Sequence, residues 1–396
     1  MPIPTPFHPR TSKLSKSKEW REWSGYWAAA TYEHTHEREY FAIRNSAALI
    51  DVSPLYKYDI IGPQAEAAVD RMVPRDIQSC EVGQIIYTPW CDDDGKVVDD
   101  GTIWRVEQNQ FRITAADPSL RWIQDCGVGL EAEVTDASAS EGALALQGPN
   151  ARQILLQVAQ AEGLARLPFY HLMQGEIGGA PVTITRTGYT GDLGYELWMD
   201  VRDALEIWDR VMLAGADYGL LPAGLAALDV ARIEAGLLLI EVDYISSLKA
   251  LTEGRRSSPY ELDLGWTVSL DSGDFVGRRA LLEESKHRSE WSFVGLEVAW
   301  SDLDRLYAGH DLAPQVAGRA TREPAPIYIG ERQVGQATSM AFSPILKTYL
   351  ALATLEHEYS KLGQQVELEM TVEYQRSRVA AKVSHKPFYD PPHKRN

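Results

Sequence analysis

The sequence predicts an α+β protein in which a mixed strand-and-helix region extends to about residue 275 and a separate all-β domain follows it. Along the first part, runs with strand-like alternation take turns with runs of helical periodicity. After Phe275, short strand-like runs are joined by polar turns, a pattern typical of a small barrel. A chain of 396 residues is also long enough for two or three domains.

Composition excludes several classes of partner. The formal net charge of −17 repels phosphate backbones, so we expect no nucleic-acid partner. The three cysteines, Cys80, Cys91 and Cys126, are isolated and lack C-x-x-C spacing. They indicate a reducing compartment and argue against a disulfide scaffold or a zinc ribbon. We therefore expect a cytoplasmic protein.

Neither a membrane span nor a secretory signal is predicted. The longest apolar run, 237–240, is stopped by Glu241 and is far too short to cross a bilayer. Residues 1–18 are basic and rich in proline and lack the apolar segment of a secretory signal. Because prolines would prevent the amphipathic helix of a transit peptide, we expect a disordered tail here.

A helix is predicted over residues 19–49, in one or two pieces with a break near Ser24–Gly25. Trp20, Trp23 and Trp27 recur at helical spacing. Aromatic stripes of this kind are usually a helix face buried against a domain, and that is the interpretation we adopt. The alternative is an aromatic cage for a methylated cation.

The following elements are predicted from periodicity and from the Gly-Pro pairs that open two of the helices. Strands are predicted over 56–61, 84–91, 96–104, 110–115, 142–146, 181–185 and 195–199. Helices are predicted after Gly62–Pro63 and over 118–124, 151–158, 204–214 and 222–239. In the all-β region, strands are predicted over 294–298, 327–329, 333–338, 350–355, 366–371 and 379–384. Residues 302–321 indicate an exposed loop or a short helix.

The stretch between two of these strands carries the strongest local signal for a site. Gly188, Gly191 and Gly194 are spaced by three, and Glu196 follows at the mouth of the turn. Glycine there permits a positive φ or a close approach of the backbone to a ligand. The spacing between two strands is not the dinucleotide fingerprint, which opens a helix. From local chemistry alone, a β-hairpin without a ligand remains an equal alternative.

No metal site is predicted. The acidic turn 92–95 suggests calcium, but the twelfth position of an EF-hand loop would be Ile103, which cannot act as a ligand. His34 and His36 are two positions apart, so on a helix they would not share a face as the histidines of H-E-x-x-H do.

An ordered set of motifs resembles the glycine cleavage T-protein (aminomethyltransferase) superfamily. The stretch 186–196, Arg-Thr-Gly-Tyr-Thr-Gly-Asp-Leu-Gly-Tyr-Glu, resembles the folate-site motif of that family. In the family's order there also appear Asp-Val-Ser at 51–53, Val-Asp-Asp at 98–100, Leu-Gln-Gly-Pro at 146–149, Arg-Ile-Glu-Ala-Gly at 232–236, Asp-Phe-Val-Gly-Arg at 274–278, Ala-Phe-Ser-Pro at 341–344 and Lys-Pro-Phe-Tyr at 386–389. The resemblance extends from about residue 40 to 390.

The resemblance implies a fold of three domains arranged as a cloverleaf around a central folate site. It divides the chain into an N-terminal folate-binding region, 1–275, and a C-terminal β-barrel domain, 276–396. The first region would comprise two subdomains, one formed by about 1–55 with 137–275 and the other by 56–136.

The resemblance also implies the site residues and the cofactor, tetrahydrofolate. Glu196 matches the carboxylate that binds the pterin, whose amino group and ring N–H form a donor fork that a carboxylate accepts. Asp100 matches the catalytic aspartate, which would orient N5 and offset the positive charge that develops as the carbon moves. Tyr87 and Tyr189 would line the pterin site, with Leu55 at an apolar position beside it. A solvated strand end at 99–100 is the alternative for Asp100.

Three departures from the family pattern bear on the donor. Pro54 stands where the T-protein has His, Leu228 replaces an Arg, and Asp390 follows Lys-Pro-Phe-Tyr where an Arg is common. Loss of these basic groups argues against the aminomethyl group on the lipoylated H-protein as donor. The preferred prediction is a stand-alone tetrahydrofolate-dependent demethylase or methyltransferase that acts on a small methylated compound. A classical aminomethyltransferase and a non-catalytic folate-binding regulator are the alternatives, and the oligomeric state is left open.

Overall fold

The computed structural model describes residues 1–315 and 318–395. Its strands, in chain order, are β1 (Ile3–Pro4), β2 (Trp20–Trp23), β3 (Tyr26–Ala29), β4 (Ala47–Asp51), β5 (Tyr56–Ile61), β6 (Ile85–Cys91), β7 (Val97–Glu107), β8 (Gln110–Ala115), β9 (Glu133–Asp136), β10 (Glu141–Gln147), β11 (Ala159–Gln160), β12 (Leu172–Ile177), β13 (Ala180–Thr185), β14 (Gly194–Asp200), β15 (Leu220–Pro222), β16 (Trp291–Val298), β17 (Ala325–Ile329), β18 (Arg332–Ser343), β19 (Thr348–Glu356), β20 (Gln365–Val372) and β21 (Gln375–Ser384).

The α-helices are shorter and lie mostly between strands. They are α1 (His8–Leu14), α2 (Glu37–Asn45), α3 (Ala65–Met72), α4 (Leu120–Cys126), α5 (Ala151–Val158), α6 (Ala204–Gly215), α7 (Leu225–Glu234), α8 (Arg278–Glu284) and α9 (Trp300–Ala308). In the part of the chain described above, none of these helices has the length and apolar character needed to cross a membrane.

Two large sheets precede the barrel. The first has seven strands in the order β11-β12-β13-β14-β10-β4-β15, antiparallel except for the parallel pair β15–β4. The second has five antiparallel strands in the order β6-β7-β8-β5-β9. Strands β16, β19, β18, β17, β20 and β21 then close into a barrel. The predicted mixed fold with a C-terminal barrel is therefore confirmed.

One apolar core joins the two sheets, α7 and the barrel. It includes Trp104 of β7 and Trp198 of β14, whose ring centroids lie 4.9 Å apart in an edge-on contact. Leu228 of α7 and Leu350 of β19 belong to the same core. Because residues from the separate sheets and the barrel share it, burial of this core holds these parts of the chain around a common centre. The domain boundaries given above stay a proposal.

The predicted helix over the tryptophans is wrong, because residues 20–29 form a β-hairpin. Ser24 and Gly25 both have positive φ, +48° and +82°, and Trp23 pairs with Tyr26, as in a two-residue hairpin turn. Side chains alternate on a strand, so Trp23 lies on the face opposite Trp20 and Trp27. The three indoles therefore form neither a helix face nor a cage.

Residues 1–18 are ordered rather than a disordered tail. Strand β1 pairs in parallel with β3, and the following Phe7 is fully buried, with its ring centroid 5.8 Å from that of Trp208. The prolines that suggested disorder fit this structure, because Pro4 lies in a short extended strand and Pro9 lies in the first turn of α1.

The helix predicted over 222–239 is also too long. Helix α7 ends at Glu234, and Gly236 then takes a φ of +69°, the left-handed conformation that terminates many helices. The end of this helix redirects the chain into a tight loop over 237–244. In the segment 302–321, for which an exposed loop or a short helix is predicted, α9 buries Leu303 and Tyr307, whereas residues 316 and 317 lie outside the described residues.

Candidate functional site

Asp100 lies on the inner face of the five-stranded sheet, between two tyrosine hydroxyls. In the β6–β7 pairing, Tyr87 is opposite Thr102 and Pro89 is opposite Asp100, so alternation places Tyr87 and Asp100 on the same face. The Tyr87 hydroxyl donates to Asp100 Oδ2 at 2.7 Å. The hydroxyl of Tyr244, a residue that is 3% exposed, donates to Asp100 Oδ1.

The neighbouring carboxylates Asp99 and Asp100 differ in their surroundings. Burial raises the pKa of Asp100, while the Tyr244 and Tyr87 hydroxyls act in the opposite direction. Burial and the charge of Asp100 raise the pKa of Asp99, which is fully buried, well above its usual range. A proton shared by this pair is therefore favoured on Asp99, and the negative charge is favoured on Asp100, where two O–H donors stabilise it.

Glu196 lies near the start of β14 and accepts from threonines on the adjacent loop and strand. The Thr187 hydroxyl donates to Glu196 Oε2 at 2.8 Å, and the Thr185 hydroxyl donates to the same oxygen at 3.4 Å. Burial raises the pKa of Glu196, and these two hydroxyls oppose that effect. The Glu196 carboxylate is only partly exposed. A hydrogen-bond donor of a ligand that reaches it would therefore bind away from bulk water, where electrostatic interactions are stronger.

The glycines before Glu196 are required by packing as well as by backbone conformation. A Cβ at Gly188 or Gly194 would lie 2.1 or 2.3 Å from the side-chain oxygen of Gln147. Gly191 has a φ of +75°. The loop thus wraps around the buried Gln147 side chain, which explains two of the three glycines without a direct contact to a ligand.

Tyr170 lies close enough to both carboxylates for their charges to act on it. The charges of Glu196 and Asp100 both contribute to the raised pKa of Tyr170, which burial brings to about 12. The charge of Asp100 also acts on Tyr189, whose hydroxyl donates to the carbonyl of Leu238. Leu55 packs, partly buried, against the same core as these tyrosines. The structure therefore brings all five predicted site residues to one region.

Four residues of this region were missed by sequence reasoning: Tyr170, Tyr244, Trp266 and Arg75. Trp266 is 64% exposed and stacks on Tyr87 with ring centroids 6.3 Å apart. The guanidinium of Arg75 lies 4.9 Å from the Trp266 ring and donates to the Tyr87 carbonyl at 3.1 Å. None of the four lies in a strand or an α-helix, and Trp266 lies in a single 3-10 turn over Gly265–Thr267, so periodicity supplies no signal for them.

The three positions that depart from the family pattern carry no positive charge in the structure. Pro54 is buried, and Leu228 is 8% exposed within the common core. Asp390 is paired with Arg395 at 2.8 Å. Among residues 1–315 and 318–395, no group of His, Cys, Asp and Glu side chains is arranged to hold a metal ion.

Comparison with known proteins gives matches along most of the chain. Residues 10–272 match the family model described as the GCVT N-terminal domain, and residues 312–390 match the glycine cleavage T-protein C-terminal barrel domain. The crystal structure of the glycine cleavage system aminomethyltransferase T from Bartonella henselae superposes with a TM-score of 0.82 at 22% identity, covering 98% of this chain and 99% of that one. This likeness shows the fold.

Two relatives are similar in sequence to this chain but differ in length and in name. Aminomethyltransferase from Halothermothrix orenii is 32% identical over 83% of this chain and 85% of its own length. Trimethylamine-oxide aldolase from Ruegeria pomeroyi is 32% identical over 98% of this chain. The match covers 47% of that protein, so the chain spans about half the length of this relative.

Proposed function

The chain belongs to the glycine cleavage T-protein family, and we propose that it is a tetrahydrofolate-dependent enzyme that transfers a methyl or methylene group from a small methylated donor to N5 of tetrahydrofolate. The observation that carries this proposal is the placement of Asp100 and Glu196. They come from two different sheets, and the negative charges of both act on Tyr170 by raising its pKa. Two carboxylates near a common group of tyrosines suit a flat heterocycle with donors on one edge and a reacting nitrogen elsewhere.

Glu196 is the group that would bind the pterin edge. The pterin presents an amino group and a ring N–H side by side, and a carboxylate accepts both. The Thr187 and Thr185 hydroxyls hold this carboxylate in one orientation before any ligand arrives. Tyr87, Tyr170 and Tyr189 would then contact the ring system, with Leu55 beside it.

Arg75 and Trp266 would bind the opposite end of folate. That end carries an aromatic ring followed by glutamate carboxylates, which match an exposed indole and a guanidinium. Within the described residues, no carboxylate lies within salt-bridge distance of Arg75, whose neighbours are Tyr170, Cys80 and Trp266. An anionic tail would supply the missing countercharge.

Asp100 is the group that would act at the reacting centre. When bound, tetrahydrofolate supplies the nucleophilic N5 that accepts the one-carbon unit. Asp100, held by the Tyr87 and Tyr244 hydroxyls, would orient the acceptor and offset the positive charge that develops there. Because both phenols have pKa values raised well above the usual range, they stay protonated and continue to donate at neutral pH.

The proposed donor class is a small methylated compound. The buried Pro54 and Leu228 replace two basic side chains, and Asp390 adds a negative charge in place of the third. A lipoyl arm delivered by a carrier protein would find fewer basic partners at these positions. The relative from R. pomeroyi is named for trimethylamine oxide, a small N-methylated compound, and its match covers 98% of this chain.

The second candidate is the aminomethyltransferase reaction, with the lipoylated H-protein as donor. It is favoured by the name of the H. orenii relative, which is 32% identical and covers 83% of the chain. The two candidates share the acceptor and the residues that would bind it, and they differ only in the donor.

The proposal is tested by measuring tetrahydrofolate binding calorimetrically and then assaying one-carbon derivatives of tetrahydrofolate by mass spectrometry. Donors would include N-methyl, O-methyl and S-methyl compounds, and aminomethylated H-protein in a separate arm. Turnover with a small donor supports the proposal, and turnover only with H-protein supports the second candidate. Tight binding without turnover in either arm would indicate a folate-binding regulator instead.

A further inference from the structure

The barrel reaches the carboxylate of Asp100 through two consecutive residues, Asp243 and Tyr244. Both lie in the loop that follows α7, and they are only 4% and 3% exposed. The hydroxyl of Tyr244 donates to Asp100 Oδ1. Whatever fixes Asp243 therefore also fixes the residue that holds Asp100.

Four donors grip the carboxylate of Asp243. The hydroxyls of Thr338 and Ser339, both on β18 of the barrel, donate to Oδ1 at 2.6 Å each. Arg232 of α7 donates from Nη1 to Oδ2 at 2.6 Å, and the backbone N–H of Leu239 donates to Oδ2 at 2.9 Å. A buried carboxylate that accepts from four donors, one of them cationic, is fixed in position.

A β-bulge is what lets two successive barrel hydroxyls reach one carboxylate. In a regular strand, Thr338 and Ser339 would point to opposite faces. The β18–β19 pairing shifts between Ala337 and Ser339, so Thr338 is the extra residue. Bulges re-aim side chains in this way and are common beside active sites.

The loop between Leu239 and Tyr244 leaves little freedom for Tyr244 to move independently. The Asp243 N–H donates to the Leu239 carbonyl at 2.8 Å, and the Glu241 N–H donates to the Tyr244 carbonyl at 2.7 Å. Glu241 itself has a φ of +63°, which a non-glycine residue adopts only where its surroundings impose it. A displacement of Asp243 therefore displaces Tyr244.

We propose that Asp243, held by the bulged barrel hydroxyls of Thr338 and Ser339, is a positioning residue that keeps the Tyr244 hydroxyl on Asp100. The barrel thus helps to orient the carboxylate at the reacting centre. The catalytic meaning of this arrangement rests on the proposed function, because it assumes that Asp100 acts on the acceptor. The positioning itself rests only on the contacts described.

The arrangement predicts a signature in the titration of Asp100. The titratable and charged groups that face Asp100 are Tyr87, Tyr170, Tyr189, Tyr244, Asp99 and Asp243. Burial raises the pKa of Asp100, and the Tyr244 hydroxyl is the first opposing influence. Loss of that donor favours protonated Asp100, so the carboxylate takes up its proton at higher pH.

The test compares two barrel variants with a matched control. The double variant Thr338→Val/Ser339→Ala removes both donors to Asp243, and Tyr244→Phe serves as the reference for full loss of the Tyr244 hydroxyl bond. The control is Ser343→Ala, which removes another buried β18 hydroxyl that donates to a buried carboxylate, Glu234, with no link to Tyr244.

The measurement is the titration of Asp100 by carbon NMR on protein labelled at the aspartate carboxyl carbons, with the resonance assigned by its absence in Asp100→Asn. We expect the double variant to move the Asp100 titration to higher pH by about 0.5–1 pH units, in the direction of Tyr244→Phe. Turnover at neutral pH should fall about 10-fold, with the dissociation constant for tetrahydrofolate unchanged within about 2-fold. Thr338→Ser in place of Thr338→Val should restore most of the loss.

The following outcomes would overturn the inference or the proposed function. If the double variant lowers the melting temperature as the control does but titrates as the wild type, the hydroxyls are merely structural and the inference fails. If the double variant does not fold, Thr338→Val alone must show the same shift at smaller size, and its absence overturns the inference. If the wild type shows no turnover with any of the donors, the proposed function is wrong. The NMR titration would still show whether Asp243 positions Tyr244 on Asp100.

Discussion

Arg44 and Glu234 form a buried ion pair, with Nη2 and Oε2 2.6 Å apart and side chains that are 0% and 1% exposed. The same carboxylate accepts from the hydroxyls of Tyr40 and Ser343. Arg44 and Tyr40 belong to α2, Glu234 ends α7, and Ser343 ends β18. One carboxylate thus joins α2 in the first half of the chain to the barrel.

This pair predicts a large loss of stability when one partner is removed. Arg44→Met should lower the free energy of unfolding by about 3–5 kcal/mol, because it leaves a buried charge without its cation. Urea denaturation of the variant measures the effect. The matched control is Arg210→Met, which breaks an exposed pair with Glu206 and should change stability by less than about 1 kcal/mol. Equal losses in the two variants would contradict the buried role.

Glu196→Ala should weaken tetrahydrofolate binding by about 2–4 kcal/mol, because the pterin donors would lose a charged partner. Calorimetric titration of the variant gives the dissociation constant directly. Glu176→Ala, at an exposed position of β12 in the same sheet, should bind as the wild type does. Unchanged affinity in Glu196→Ala would remove Glu196 from the site.

The raised pKa of Glu196 predicts that binding is lost on mild acidification. Burial raises this pKa, so the carboxylate takes up its proton at higher pH than an ordinary glutamate. Affinity should be full above the Glu196 pKa and fall as the pH drops through it, since the protonated form accepts fewer hydrogen bonds. Dissociation constants measured from about pH 8 down to about pH 4.5 check this. In Glu196→Gln the same fall should be absent.

Asp100→Asn should leave tetrahydrofolate binding nearly intact and lower turnover by about 10²–10³-fold. The amide keeps the shape of the side chain but lacks the negative charge that offsets the charge developing on the acceptor. Single-turnover kinetics with the best small donor separate this loss from any change in binding. Turnover equal to that of the wild type would mean that Asp100 only shapes the site.

Arg75→Met should reduce affinity for tetrahydrofolate by about 1–2 kcal/mol, since a partly exposed guanidinium would lose its bond to a carboxylate. Affinity for a tetrahydropterin without the glutamate tail should not change. Arg71→Met is the matched control, because Arg71 also donates to backbone carbonyls, those of Cys126 and Val128. A loss of equal size for both ligands would place Arg75 elsewhere than at the tail.

Much of the fold could be predicted because each element has its own short-range pattern. The strand over 56–61 and the helix over 151–158 have the predicted bounds, and every predicted barrel strand lies within an observed one. The tryptophan segment failed because a spacing of three and four fits a helix, while Ser24–Gly25 supplies the positive φ values that a hairpin turn needs. The helical spacing and the turn residues predict different structures for this segment, and the observed structure is the hairpin.

The sequence by itself determined the mixed strand-and-helix character of the first region and the C-terminal barrel, and its motifs supplied, through the family resemblance, the five residues proposed for a folate site. Only the tertiary structure placed Tyr244 on Asp100 and brought Thr338 and Ser339 to Asp243. These partners are about a hundred residues or more apart, in loops or at a bulge where no period exists. Periodicity reports which face of one element is buried, whereas contacts between distant irregular segments depend on how the whole chain packs.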